Sequence, residues 1–374
     1  MAGKKDFVVT PWEVKGEIDY DKLIKDFGVD PISPELIGRL EKHTGTLHTL
    51  LRRGMFFAHR DLGWILDEYE KGNSFYLYTG RGPSGHTHLG HLVPWMFTRW
   101  LQDKFNAKLL FQMTDDEKFL FNPNLTLEET NKLSYENALD VIALGFDPDK
   151  TEIFSDIDYC KTLYPLALGV AKKINYSTTK AVFGMRNDSN IGQIFFSSMQ
   201  AVPAFLESVR KGRNIPCLIP HAIDQDPYFR VARDVLPRLG YYKPASIQGR
   251  FLPGLAEGGK MSASIPESAI FTTDTEKVAK KKVMRAFTGG QATTEEQKKL
   301  GGNPDICPVY HYMTFLFEAD DAKLMVQYRQ CKSGELLCGE HKQILAEKVA
   351  AFLKTHQEKR EKAKDQLQNF ITKS

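Results

Sequence analysis

The stretch from Ser74 to Asp116, SFYLYTGRGPSGHTHLGHLVPWMFTRWLQDKFNAKLLFQMTDD, narrows the possible folds more than any other. It opens on a short run rich in aromatics that glycine stops, which reads as a strand. Leu89, Leu92, Val93, Met96, Phe97, Trp100 and Leu101 then recur at helical spacing, predicting a helix over 88–104 that Pro94 should kink. AKLLFQMTD returns to a strand. Strand, helix and strand at this spacing form a βαβ unit, and hence a parallel sheet.

The sheet continues downstream. A helical pattern in LEETNKLSYENALDVIALGF precedes a third strand, TEIFSDID, and two more strand runs, IPCLIPHAID and ASIQGRFLPGL, follow a long middle section. The fold class is therefore α/β, with a Rossmann-type parallel sheet interrupted by a helical insertion over about 120–210. Upstream, DYDKLIKDF, PELIGRLEKHTG and HRDLGWILDEYEKGN carry apolar residues three and four apart, so residues 1–72 read as a mostly helical N-terminal extension. The core unit is placed at 73–275. Residues 276–374 are helical and lysine-rich, and are read as a separate all-α domain.

Composition excludes several function classes. With 50 basic and 47 acidic residues the net charge is +3, too balanced for bulk attraction to nucleic acid or membrane. Nowhere do eighteen apolar residues run together, and the start lacks a signal-peptide core, so a cytoplasmic protein is expected, with neither membrane nor DNA as a partner. The five cysteines are scattered and odd in number, with no C-x-x-C pair, which points to reduced thiols.

The turn between the first strand and the helix carries the chemistry. His86, His88 and His91 could suggest a metal, but His86 precedes the helix and no nearby cysteine or carboxylate completes a ligand set, so no metal site is expected. A glycine-rich turn leading into a helix is instead where a parallel α/β sheet meets phosphate, since backbone approaches closely and the helix start offers free N–H groups. GRGPSG has the glycines of a dinucleotide fingerprint but lacks the acidic residue expected further on. Two histidines in the first helical turn add donors where negative charge would sit, which suits phosphoryl or nucleotidyl chemistry.

Two motifs together carry a resemblance. His88-Leu89-Gly90-His91 resembles the HIGH signature of class I aminoacyl-tRNA synthetases, and Lys260-Met261-Ser262-Ala263-Ser264 resembles their KMSKS loop. Within that class, QMTDDEK, CLIPHAIDQDPYFR, LRRGMFFAHRD and FYLYTGRGPS resemble the tryptophanyl-tRNA synthetases of eukaryotic and archaeal type, over nearly the whole chain.

That resemblance implies activation of L-tryptophan by ATP, then transfer to tRNA(Trp). His88, His91 and Lys260 are the implied catalytic residues. Gly80, Arg81, Gly82, Gly90, Asp224, Met261, Ser262 and Ser264 are implied for ATP, with Asp224 a ribose ligand and Mg2+ accompanying the phosphates. Tyr78 and Gln112 are assigned to the indole N–H, which as a donor requires oxygen acceptors, and Glu117, Gln200 and Gln225 to the substrate ammonium. The family also implies a homodimer and an anticodon-binding role for the C-terminal helices. For those helices EKVAKKKVMR and KTHQEKREKAK are the densest basic stretches, although such runs are more often solvated helix faces than binding sites. The nearest rivals are a tyrosine-specific relative, a small nucleotidylyltransferase, which would need no long helical C-terminal region, and a non-catalytic derivative.

Overall fold

A computed structural model describes residues 7–9, 14–15, 18–262 and 265–374. The N-terminal part supplies β1 (Val8–Val9), β2 (Val14–Lys15), α1 (Tyr20–Phe27), β3 (Asp30–Pro31), α2 (Pro34–Thr44), α3 (Thr49–Arg52), β4 (Phe56–Arg60) and α4 (Leu62–Glu70). The expected helical extension is thus not purely helical. β4 pairs antiparallel with a strand from residues 245–249, and β3 pairs with β4, so the sheet has members upstream of Ser74. β4 is only five residues long, with the adjacent Ala58 and His59 both buried beside Phe56, so it shows no alternation that would mark it as a strand in the sequence.

The parallel part follows the expected order. β5 (Tyr76–Arg81) leads through α5 (Leu89–Phe105) to β6 (Leu109–Met113), then through α6 (Asp115–Phe121) and α7 (Leu127–Ala143) to β7 (Thr151–Ser155). Helices α8 (Cys160–Ala171), α9 (Tyr176–Phe183), α10 (Ile191–Ala201) and α11 (Pro203–Lys211) separate β7 from β8 (Cys217–Ala222). α12 (Asp226–Val235) then leads to β9 (Ala245–Gly249). The insertion is accordingly narrower than 120–210, because α7 is the crossover between two paired parallel strands. Thr126 starts α7 with a reciprocal cap: its side chain accepts from Glu129 N–H and the Glu129 carboxylate accepts from Thr126 N–H.

The seven strands lie in the order β3-β4-β9-β8-β5-β6-β7, with β9 to β7 parallel. After β5 the chain moves to one side, to β6 and β7, and later returns to the other side, to β8. The switch point therefore falls between the carboxyl ends of β5 and β8, where open α/β sheets bind ligands. Alternation along β5 sends Leu77 into the apolar core shared with α5 and Tyr78 into the core on the opposite face, with α8 to α12. The same alternation along β6 sends Phe111 to the first face. Gln112, one residue on, shares the Tyr78 face.

The C-terminal helices are α13 (Glu276–Arg285), α14 (Thr294–Leu300), α15 (Pro308–Tyr312), α16 (Asp321–Ser333) and α17 (Cys338–Gln366). They do not stand apart as a separate body. Leu345, Val349 and Leu353 of α17 belong to the same core cluster as Trp95 and Phe97 of α5. On α7, buried Asp140 is held by His356 at 2.9 Å and Arg360 at 3.1 Å, both from α17. Beyond α17, Ile371 bridges Ile153, and the chain end lies along the sheet's outer strand.

Candidate active site

A cavity of about 400 Å³ opens at the switch point. Gly80 and Arg81 reach it from the end of β5, His88 and His91 from the start of α5, and Asp224 and Gln225 from the turn after β8. Gly82, Gly90, Glu117, Gln200, Lys260, Met261 and Ser262 also line it. Residues separated by 180 positions in the chain thus converge on one space. Ser264 lies outside the described residues.

Glycine at position 80 is a requirement of the strand pair. A Cβ there would stand 2.7 Å from the backbone oxygen of Gln112, its partner in the parallel register. In the Lys260 loop, Gly258 and Gly259 have φ of 74° and 78°, a left-handed conformation that side chains resist. The loop folds on itself through Gly254 N–H to Gly259 O. Its far end is stitched to the histidine turn through Leu89 N–H to Ile270 O and Thr272 N–H to Thr87 O.

The two histidines are stacked, with ring centroids 3.5 Å apart and planes at 23°. His88 occupies the N-cap of α5, and its backbone N–H donates to His91 Nδ1 at 3.1 Å. The His91 ring hydrogen is therefore on Nε2, free to donate elsewhere. Burial, with Arg81 and Lys260 nearby, pushes His88 down to about 3, and His91 is lowered well below the ordinary histidine value for the same leading reason. Both rings are neutral near pH 7, so they act as directed dipolar donors rather than as cations. His86 is exposed and takes no part. Among the described residues, no group of three or more His, Cys, Asp or Glu side chains is placed to hold a metal ion.

Arg81, Lys118, Arg250 and Lys260 bring positive charge to the cavity. Burial lowers Arg81 to about 10, opposed by Glu117 and Asp140, which leaves it a cation at neutral pH. Its Nε donates to Asn137 at 3.0 Å, while one terminal nitrogen is buried without a partner. Such a group calls for an incoming anion. Lys260 Nζ stands 2.9 Å from Asp224 Oδ2, so the residue expected on ribose holds the loop lysine.

Of the residues expected around the substrate side chain and ammonium, the structure brings Tyr78, Gln112 and Gln200 together. Tyr78 and Gln112 are fully buried, and the Tyr78 hydroxyl lies 2.5 Å from Gln112 Oε1. Gln112 stands behind the cavity wall. Gln200, expected at the ammonium, instead donates from Nε2 to the Tyr78 hydroxyl oxygen and, at 3.1 Å, to Gln112 Oε1. Glu117 accepts from Thr114 Oγ1 at 2.9 Å and pairs with Lys118 Nζ at 3.0 Å. Asp156, Lys118 and Asn137 join the site without having been expected there from the sequence. Asp156, one residue beyond β7, carries a signal that could have found it: its place at the carboxyl end of a parallel strand.

The chain is similar to known proteins over nearly its whole length. Residues 70–354 match the family described as tRNA synthetases class I (W and Y). The chain is 54% identical over 366 residues to a tryptophan--tRNA ligase of Pyrobaculum calidifontis, covering 98% of each chain. It is similar to the crystal structure of the Plasmodium falciparum tryptophanyl-tRNA synthetase, with a TM-score of 0.88 at 42% identity, covering 94% of this chain and 97% of that one. It is also similar to a tryptophanyl-tRNA synthetase from Encephalitozoon cuniculi solved bound to tryptophan, with a TM-score of 0.85 at 36% identity, covering 95% of this chain and all of that one.

Proposed function

This chain belongs to the class I tRNA synthetases of the W and Y family, and we propose that it activates L-tryptophan with ATP and transfers it to tRNA(Trp). The observation that carries the proposal is one cavity lined by phosphate-directed donors, with Tyr78 on its wall and Gln112 directly behind it as a buried pair of oxygen acceptors. The donors are His88, His91, Arg81 and Lys260. The acceptors are Tyr78 and Gln112.

The first step is attack of the tryptophan carboxylate on the α-phosphorus of ATP, releasing pyrophosphate. A carboxylate is already a competent nucleophile, so the site needs no general base, and it works by alignment and charge neutralisation. Lys260 leaves Asp224 to meet the β,γ-phosphates, which frees Asp224 for the ribose. Arg81 directs its unpaired nitrogen to phosphate. His88 and His91 contribute neutral N–H donors, Gly82, Gly90 and Met261 give close approach to the nucleotide, and Ser262 and Ser264 offer hydroxyls. Mg2+ would accompany ATP and would supply charge neutralisation at the phosphates, since no group of three or more His, Cys, Asp or Glu among the described residues is placed to hold a metal ion.

The indole N–H meets Tyr78 and Gln112. The Tyr78 hydrogen has a second acceptor, the Gln200 carbonyl at 3.1 Å, so turning toward it exposes a lone pair to the substrate. Displaced from Tyr78 and Gln112, the Gln200 amide joins Glu117 and Gln225 at the ammonium.

The helices of 276–374 serve the anticodon while packing on the core that 73–275 builds together with β3 and β4, and the protein works as a cytoplasmic homodimer. In α13, Lys280 pairs with Glu276 and Glu347 and Lys282 with Asp274, which leaves Lys277, Lys281 and Arg285 exposed for RNA phosphate. The test of the whole reading is pyrophosphate exchange with each of the twenty amino acids in the absence of tRNA. Tryptophan alone should drive it.

A further inference from the structure

Gln112 is an amide, and an amide buried at a substrate pocket can face it with oxygen or with nitrogen. Only the oxygen can accept an indole N–H. What decides the orientation lies behind Gln112, away from the cavity. Gln112 Nε2 donates to Asp156 Oδ1 at 2.8 Å and Oδ2 at 2.9 Å. Asp156 is 1% exposed and is set there by its own backbone N–H, which donates to Met113 O at 3.0 Å and extends the β6–β7 ladder by one step. Turning the amide over would place its oxygen against the two Asp156 carboxyl oxygens and its nitrogen against the Gln200 amide nitrogen. Both approaches would be repulsive.

We propose that Asp156 is a positioning residue for substrate selection: it locks the Gln112 amide with nitrogen inward, so that the pocket offers acceptors to the indole N–H. The proposal rests on the reading that this cavity takes a tryptophan side chain. Asp156 does not touch the substrate. It acts through Gln112.

Asp116 completes the arrangement. Its carboxyl hydrogen-bonds Asp156 and accepts from Glu117 N–H at 2.7 Å. Burial pushes Asp116 up to about 7 and raises Asp156 well above the ordinary carboxylate value, and each is raised further by nearby Asp115. Asp115 itself accepts from Ser155 Oγ, Asn131 Nδ2 and Ile157 N–H. Asp156 is the donor in its hydrogen bond to Asp116, and both of its oxygens still accept from Gln112 Nε2.

The test compares tryptophan with benzothienyl-alanine, whose sulfur replaces the N–H, by kcat/KM in pyrophosphate exchange. Asp156→Ala should shrink the wild-type preference for tryptophan by about tenfold or more, with the KM for ATP unchanged, because the freed amide can turn its donor toward the substrate. A purely structural role would weaken both substrates alike and leave the ratio intact. Asp156→Asn can still accept from Gln112 through its oxygen and donate to Asp116, and should keep the preference.

A second pair of variants serves if Asp156→Ala does not fold. Gln112→Glu sets two carboxylates against each other and should lose most of the preference. Adding Asp156→Asn supplies a donor to the new carboxylate and should regain about tenfold. An unchanged ratio in Asp156→Ala, equal loss in Asp156→Asn, or a double variant no better than Gln112→Glu would overturn the inference. Wild-type protein that fails to activate tryptophan would instead overturn the proposed function, so the two failures are distinct.

Discussion

Lys260 Nζ is held 2.9 Å from Asp224 Oδ2 across the mouth of the cavity, joining the Lys260 loop to the turn after β8. The same lysine lies 5.0 Å from the centre of the Phe251 ring, so its charge is engaged by both a carboxylate and a ring face. Lys260→Ala should therefore leave tryptophan affinity within about threefold while lowering the adenylation rate ~10²-fold or more, because phosphate charge is greatest in the transition state. Single-turnover adenylate formation beside equilibrium tryptophan binding separates the two quantities, and equal losses would argue against the assigned role.

Gly80→Ala should destabilise the protein by about 1–3 kcal/mol, since its new methyl meets the backbone of β6, which cannot yield without separating two paired strands. Urea unfolding measures this. An unchanged midpoint would mean that the strands separate more freely than their hydrogen bonding implies.

His48 caps α3 by accepting Leu50 N–H at 3.1 Å and packs edge-on against Phe97 and Trp100. Burial lowers it to about 4. The unfolded chain takes up a proton at the ordinary value near 6.5 and the folded protein does not, so this contribution is complete above pH 6.5 and is lost as pH falls toward 4. At pH 5 the loss is about 1–2 kcal/mol. His48→Asn keeps a cap acceptor and cannot titrate. Its melting temperature should fall less between pH 7 and pH 5 than that of the wild type, and parallel curves would refute the assignment.

Removing 276–374 would not isolate RNA binding, because α17 completes the core around Trp95 and Phe97. Replacing exposed Lys277, Lys281 and Arg285 with glutamine avoids this. Pyrophosphate exchange should stay within about twofold, while the KM for tRNA rises and its salt dependence flattens, by up to ~0.7–0.9 in slope for each phosphate no longer neutralised. Unchanged tRNA kinetics would remove α13 from the RNA surface.

The parallel sheet was legible because each βαβ step repeats one pattern: an apolar run, a turn, and an apolar stripe at helical spacing. β4 was not, since FFAHR is short and sits between helices, and its antiparallel partner lies nearly 190 residues away at β9. The union of α17 with the main core was equally hidden, because periodicity reveals that a helix has a buried face but not what covers it. At the site, glycines and histidines on one turn announced phosphate chemistry. The orientation of Gln112 was beyond sequence reading, as it depends on Asp156, which only the pairing of β6 with β7 brings alongside.

The most direct measurement of the central claim is competition between tryptophan and benzothienyl-alanine in pyrophosphate exchange, in the wild type and in Gln112→Ala. A pocket built on the Tyr78 and Gln112 oxygens leaves both unpaired when the N–H is absent, so the wild type should favour tryptophan by at least about tenfold, and Gln112→Ala should narrow that preference. Equal use of the two substrates by the wild type, faster exchange with tyrosine, or a Gln112→Ala variant with the full preference would contradict it.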